Sequence, residues 1–495
     1  MKVAIVGTGF AAFGSAVALI QNDSIEIEVF DVGITGKNPA QKDMPVPNGK
    51  SRDGSYYPYG INDDRWSVRI NSQRICSSHA MGGYSVVYSG AMLYPKNSDL
   101  SEWPKESRPL AIDYDAVLSH LNILSAHDEL TNEFPIIPSQ RDLENTESGE
   151  NIALLGLSRI ALTKETQNTS HKQTIFCTKE FFNNLIQQKR IQYRSKVYVL
   201  KIEKSGKKLQ IHFENEEGIQ EKSGEFDAVF LGAGCINSTA IVDRSLFGVG
   251  TREYRLESPA GLINAFCRLG FFMGKDQQTR RNANFPEFFL EIKSASTFQT
   301  WSHTQITAIN EQIISAISSK IPFFGITLGK IFRNVIYFSL TGVHSSLAKS
   351  IPVRTTTRQS HEGVFEYSII IEEQNQSGNL PQVCGSLFQA VWKNWKKLRM
   401  IPVPFGRQLA DFFRSNKLGG WHYGGTLPMK QFPKAGQCHP DGAVAGLEGL
   451  YVVDSAAFPE IPGSTVALLI CANSHRVARQ WKNKAQIKVK DIPCQ

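Results

Sequence analysis

The segment "HYGGTLPM", His422–Met429, sets an imidazole just ahead of two glycines in a stretch without a charged side chain. An imidazole titrates near neutrality, so it can take a proton at working pH and return it at little cost. The same side chain can ligate a metal or sit hydrogen-bonded in a core. A metal site needs further His, Cys or Asp at ligand spacing, and His439 is the one nearby candidate. From the residues alone, proton acceptor and core histidine both stand.

A second pattern with chemical content opens the chain. "KVAIVGTGFAAFGSAVALIQ" reads as a buried strand, a glycine turn and an apolar helix, and "IEIEVFD" alternates as a second strand. In such a unit Gly7 permits the tight turn and Gly9 lets a pyrophosphate approach the backbone. Ala12 takes the place of a third glycine, where helix and strand pack closely. The helix that starts at Phe10 and Ala11 then turns free N–H groups and a partial positive charge toward the phosphates. Asp31 ends the second strand, placed to accept from an adenosine ribose and to repel a 2′-phosphate, which favours FAD or NAD over NADP. A lysine before a small apolar run is also how a secretory signal begins, but the glycine spacing and the acid in register argue against that reading. "MGGYSVVYSGAMLYP", Met81–Pro95, is too irregular for a helix; it reads as backbone laid against something flat and large, or as a glycine-rich loop under a helix.

The elements that must position these residues have ample chain to draw on. At 495 residues, two domains or one large α/β domain with an insertion are expected. Hydrophobic residues at 41% and charged residues at 20% are globular values. A net charge of +8, scattered rather than clustered, gives no nucleic-acid footprint. The cysteines (76, 177, 235, 267, 384, 438, 471 and 494) show no CxxC or ligand spacing, which predicts reduced thiols in a cytoplasmic protein. No run reaches the ~18 apolar residues of a spanning helix. The apolar, sparsely basic stretch 321–352 reads as core or lid helices, with contact to a membrane surface as the alternative.

"GGYSVVYSGAMLYP" resembles the flavin-contacting segment of the glucose-methanol-choline (GMC) oxidoreductases, GGxSxxNGxxxxP or GGxSxxWGGxxxP, with Gly82, Gly83, Ser85, Gly90 and Pro95 on the pattern. Tyr88 stands where the family has Asn or Trp. Val87 stands where covalent members have His, so the resemblance implies dissociable FAD. "EWPKESRPLAIDYDAVLSHL" is similar to the sugar-oxidising branch through Trp103, Pro104, Asp113 and Tyr114. "FDAVFLGAGCINSTAIV" matches the family's return to the nucleotide domain through Ala233, Gly234 and Ser238, and the hairpin before it implies Val197 beside the adenine. "GLYVVDSAAFPEIPGSTVALLICANSHRVARQ" is similar to the family's closing strand and helix. There Asp454 and Ser455 end the strand, and Ser464 and Thr465 read as a helix cap pointing at the flavin. His422, Gly425, Thr426 and Met429 match HxxGTxxM, whose histidine takes the substrate's hydroxyl proton as hydride leaves for flavin N5.

The resemblance therefore implies an α/β chain. A Rossmann-type FAD-binding domain is built from 1–110, 170–240 and 415–495, and an inserted α+β substrate domain of the six-stranded-sheet type from 111–169 and 241–414. The implied activity is oxidation of an alcohol, sugar or polyol, lipid-linked if 321–352 meets a membrane, with the electron acceptor left open. One position departs. The family's second catalytic Asn or His falls on Ile461, while Asn473 and His475 are expected to face neighbouring elements. Tyr88, Tyr423 or Ser464 then substitutes, or the substrate supplies its own hydrogen bond, or the protein is a flavin-binding isomerase or redox-silent flavoprotein. Glu373 and Gln374 resemble a family turn near the substrate, or a surface hairpin.

Overall fold

The computed structural model describes residues 1–34, 67–70, 78–124, 152–163, 175–258, 260–268, 286, 288–293, 301–308, 327, 336–347, 350–359, 365–371, 388–389, 391–393, 395, 400–403 and 422–490. Its centre is a parallel sheet in the order Leu450–Val452, Ala228–Leu231, Lys2–Val6, Glu26–Phe30, Gln192–Arg194. Helices and a second sheet cover its two faces, so the central strands Lys2–Val6 and Ala228–Leu231 are near-continuous apolar runs, whereas Glu26–Phe30 alternates and the edge strand Gln192–Arg194 is polar. Strand geometry sends successive side chains opposite ways. Val3 and Ile5 accordingly join the core under the helices, while Ala4 and Val6 join the core under the antiparallel sheet Tyr198–Ser205, Lys208–Glu214, Gln220–Phe226.

The first helix, Phe10–Leu19, is buried from Ala11 to Leu19. It is apolar all round because it lies between the sheet and the last helix, Ala467–Lys490, which wraps back from the far end of the chain. Their crossing is close at Gly14: a Cβ there would stand 2.1 Å from the carbonyl oxygen of Cys471. Ser15 and Ser474 share a hydrogen bond of 2.6 Å across the same contact. A further helix, Ala111–Leu118, docks on the last one. Asp113 accepts from His475 at 2.8 Å and from Arg479 at 2.9 and 3.0 Å. Burial disfavours the Asp113 carboxylate, but these donors prevail and hold its pKa below the ordinary value. His475 thus turns to a neighbouring helix, as expected, whereas Asn473 accepts from Arg476 within its own helix.

The inserted portion contributes a six-stranded antiparallel sheet in the order Met400–Pro402, Ala260–Arg268, Ile336–Val343, Trp301–Ala308, Phe288–Lys293, Ile152–Leu157. A four-stranded sheet runs Gly250–Leu256, Ile351–Gln359, Phe365–Ile371, Ser67–Ile70. Part of the stretch read as core or lid helices is therefore a strand: Ile336–Val343 lies inside the six-stranded sheet, and its apolar character serves that sheet. Glu373 and Gln374 lie outside the described residues. No described helix is long and apolar enough to cross a membrane.

Adding a methyl at the helix crossing tests how tightly the tail is held. Gly14→Ala drives a side chain into the Cys471 carbonyl, and overpacking of this kind costs about 1–3 kcal/mol. The expected result is a lower midpoint of urea unfolding; an unchanged midpoint would mean that the helices are not in backbone contact.

Candidate active site

The two glycine segments singled out in the sequence meet. Gly7, at φ +98°, turns so tightly that a Cβ would lie 2.5 Å from the Gly232 oxygen, and no L side chain fits there. A Cβ on Gly83 would lie 3.2 Å from the Cα of Gly9. On Gly9 itself the nearest atom to a Cβ would be 3.9 Å away, and around Gly234 nothing lies within 4 Å. Packing therefore does not demand glycine at those two positions. They keep open a cleft that also takes in Phe10, Ala11, Asp31, Val197, Ala233, Asp454 and Ser455. A cradle that a Cβ would fill, at the start of a helix, is the shape of a pyrophosphate site.

Thr8 does the local tethering and was missed in the sequence, because the motif leaves its position free. Its hydroxyl donates to Asp31 at 2.5 Å and accepts from the Gly82 N–H at 2.8 Å. Thr178, at the start of the helix Thr178–Gln187, donates to the Thr8 carbonyl at 2.8 Å. Ser85 stands behind the cleft: its hydroxyl donates to the Gly82 carbonyl at 2.6 Å and meets Thr178 at 2.8 Å, which fixes the left-handed turn at Gly82. Burial pushes the Asp31 carboxyl up to about 7, against hydrogen bonds from Thr8 and Tyr193. Ala12 is fully buried in the helix-to-strand packing, as its motif position requires.

At the other end, Asp454 locks the closing strand to the site. It accepts from the Gly234 N–H at 2.9 Å, from Ser238 at 2.5 Å and from the Ala456 N–H at 2.9 Å. Ser238 thus reaches the cleft only through Asp454. Residues 424–429 run alongside 455–457: the N–H groups of Gly425, Leu427 and Met429 donate to the carbonyls of Ser455, Ala456 and Ala457. Cβ atoms on Gly424 and Gly425 would stand 2.2 Å from the Ser455 oxygen and 2.7 Å from Glu257. These glycines serve close contact with Ser455 and Glu257. Thr426 anchors the segment to the helix Cys235–Phe247 through Thr239 at 2.5 Å.

This ladder delivers His422 to the approach of the last helix. Its ring is half-buried by surface yet enclosed by protein, and it bonds to the Ser464 backbone. Burial, then the charge of His303, push its pKa down to about 4, and the Ser464 bond opposes them. Next to it the expected helix cap is absent. Among the described residues the Ser464 and Thr465 hydroxyls are buried without hydrogen-bond partners, and the helix starts only at Ala467. Two orphaned hydroxyls at a positive helix end suit a polar, electron-rich ligand edge rather than a cap.

The expected stand-ins for the second catalytic residue are placed differently. Tyr88 packs edge-on against Phe10 at 4.9 Å and against the cluster of Ile160 and Phe289. Tyr423 sends its hydroxyl 3.2 Å from that of Tyr84 and lines the cleft. Ile461 is fully buried, with its N–H donating to Ser345 and its carbonyl accepting from the Ser345 N–H. Among the described residues no cluster of ligands suits a metal ion.

Residues 382–474 match the family model described as GMC oxidoreductase. No curated protein matches the chain. Among solved structures, pyridoxine 4-oxidase from Mesorbium loti is similar over 97% of this chain and 99% of its own, at 14% identity and a TM-score of 0.59. A fungal aryl-alcohol oxidase matches over 97% and 99%, at 13% identity and 0.52. An FAD-dependent oxidoreductase from Chaetomium thermophilum matches over 98% and 99%, at 14% identity and 0.54. At such identities the likeness is one of fold.

Filling the cradle should separate binding from folding. Gly9→Val is expected to keep the unfolding midpoint close to that of the parent while ADP affinity, read by calorimetry, falls at least ~10-fold as backbone approach to the phosphates is lost. Undiminished ADP binding would place the phosphates elsewhere.

Proposed function

We propose that this chain, which carries a GMC oxidoreductase C-terminal domain, is an FAD-dependent oxidoreductase acting on the alcohol group of a small molecule. One observation carries the reading: His422 bonds to the Ser464 backbone, the Ser464 and Thr465 hydroxyls are buried and unpaired among the described residues, and the chain neighbours of this group, Tyr423 and Val466, line the cleft shaped for a dinucleotide. The residues fit FAD throughout, with Asp31 at the ribose, Gly9 and Gly83 at the pyrophosphate, and Ser464 and Thr465 at the flavin. Val87 offers no covalent attachment. Bound there, the flavin supplies the acceptor for hydride from the carbinol carbon.

The chain's own residues do the rest. The Ser464 backbone fixes the His422 ring through one nitrogen, which leaves the other for the substrate hydroxyl. A ring kept neutral by burial is ready to take the hydroxyl proton as hydride departs. The positive end of the last helix favours negative charge that builds up at its approach. A sugar or polyol is supported by "EWPKESRPLAIDYD", and a ring-borne primary alcohol by the names of the two oxidases of similar fold. The absence of Asn or His at Ile461 favours a second reading, a flavoprotein without net oxidation.

Purified protein should be yellow, and anaerobic mixing with a panel of pyridoxine, benzyl alcohol, glucose and gluconate should bleach it with at least one member. Bleaching by dithionite alone would favour the second reading. His422→Ala is expected to keep FAD and slow reduction about 100-fold, the scale of a lost general base. Because the folded pKa of His422 lies below its ordinary 6.5, the neutral ring persists as pH falls and is lost only near 4. Reduction rates should therefore hold from pH 7 to 5 and decline near 4; a decline centred at 6.5 would mean an exposed, unperturbed imidazole.

A further inference from the structure

A second histidine, contributed by the inserted sheet, faces the same spot. Register places Glu291, His303 and Gly342 directly opposite one another on three neighbouring strands, so the three positions share one face of the six-stranded sheet. The Gly342 position shows where that face points: a Cβ there would stand 2.2 Å from the Gly463 oxygen. Gly463 adjoins Ser464, whose backbone holds His422, and the charge of His303 is felt at the His422 ring. The row thus looks onto the loop 460–465 and the imidazole beyond it.

His303 is built as an oriented group rather than as core filling. Its Nδ1 bonds to the Glu291 carboxylate, and Glu291 also holds Lys96, whose ammonium lies 4.6 Å over the Trp301 ring. Phe289 packs edge-on against the imidazole at 4.7 Å. Only 3% of His303 is exposed, yet its Nε2 has no hydrogen-bond partner among the described residues. A buried polar atom left alone costs about 1–3 kcal/mol, so this nitrogen is open to a ligand's oxygen. Ile461 meanwhile offers nothing polar: a Cβ on Gly424 would lie 2.7 Å from its Cδ1, so its side chain packs on the His422 segment.

We propose that His303 is the second imidazole of the active centre, its Nε2 holding the oxygen of the substrate hydroxyl that His422 deprotonates, in place of the side chain that Ile461 lacks. The inference rests on the alcohol-oxidising reading above. The hydroxyl proton passes to His422, the hydride with its electron pair goes to the flavin, and His303 forms and breaks no covalent bond. With Glu291 at Nδ1, a protonated His303 donates from Nε2 to the oxygen as negative charge gathers on it. The groups that face it are Glu291 and, through Glu291, Lys96 on its own side, with His422 and Ser464 across the gap.

The test uses the flavin-loaded full chain. In the unmodified protein, the ring protons of His303 and His422 should show a nuclear Overhauser contact, since both imidazoles are to meet one oxygen. His303→Gln keeps a donor for Glu291 but removes the imidazole. It should retain FAD, slow reduction by the best alcohol of the panel on the order of 100-fold, and move the His422 titration, read by ring-nitrogen NMR, upward. Glu291→Gln should slow reduction in the same direction by a smaller factor. An unmoved His422 titration, or parent-like reduction by His303→Gln, would overturn the proposal. Should no alcohol reduce any form while His303→Gln still moves the His422 titration, the alcohol-oxidising reading fails and the paired imidazoles stand. If the substituted chains do not fold, the ring-to-ring contact in the parent decides alone, and its absence overturns the pairing.

Discussion

The backbone of the last helix touches the backbone of the first, and the site depends on that contact. Gly14 admits it, and no residue with a Cβ would allow the same approach to Cys471. Once the helix Ala467–Lys490 is seated there, the strand Leu450–Val452 that precedes it pairs in parallel with Ala228–Leu231. The loop between strand and helix then has to cross the mouth of the cleft. Asp454 secures the start of that loop with three hydrogen bonds, and the ladder from 424 to 429 hangs from its first residues. His422 is therefore held by a chain of backbone contacts that begins at a glycine more than four hundred residues earlier.

The electrostatics of the cleft carry the same message. Burial raises the acid groups of Asp31 and Asp454, to about 7 and about 6, and lowers the base His422 to about 4. An acid raised on folding contributes less to stability as pH climbs from its unfolded value, near 4, through its folded one. A base lowered on folding contributes fully above 6.5 and less as pH falls towards 4. All three shifts favour uncharged groups around the ligand-free cleft.

Much of this arrangement was legible because local rules govern it. The strand, turn, helix and acid of the first unit stand where the spacing of Gly7, Gly9, Ala12 and Asp31 predicted, and the second glycine segment meets the first at Gly83. The six-stranded sheet and the parallel core agree with the fold implied by the resemblance. What failed was the purpose of particular residues. Ser464 and Thr465 were read as a cap and turned out to be unpaired. Each depends on what lies opposite in space, which a motif does not encode. Thr8 was invisible for a simpler reason: any residue satisfies its place in the fingerprint, and only a Cα trace folded back to Gly82 gives the hydroxyl its two partners.

The loop 460–465 shows why a missing residue in a motif need not mean a missing group in a site. Its backbone is stitched to Ser345 at Ile461 in both directions, and Gly463 lies against Gly342, with a Cβ there only 2.8 Å from the Gly342 oxygen. So tight a loop has no room for a polar side chain that must project towards a substrate, and Ile461 fills the space against Gly424 instead. The same close approach lays the sheet face on the loop whose Ser464 backbone bonds to His422. Polar capacity shifts from one element to the other: Lys96, Glu291 and His303 are nearly dry, mutually bonded and end in one unused nitrogen. Burying three ionisable groups together is costly unless they pair. The chain offsets that cost with the Lys96–Glu291 ion pair and the Glu291–His303 hydrogen bond, and the nitrogen left over is where the described residues do not close the network.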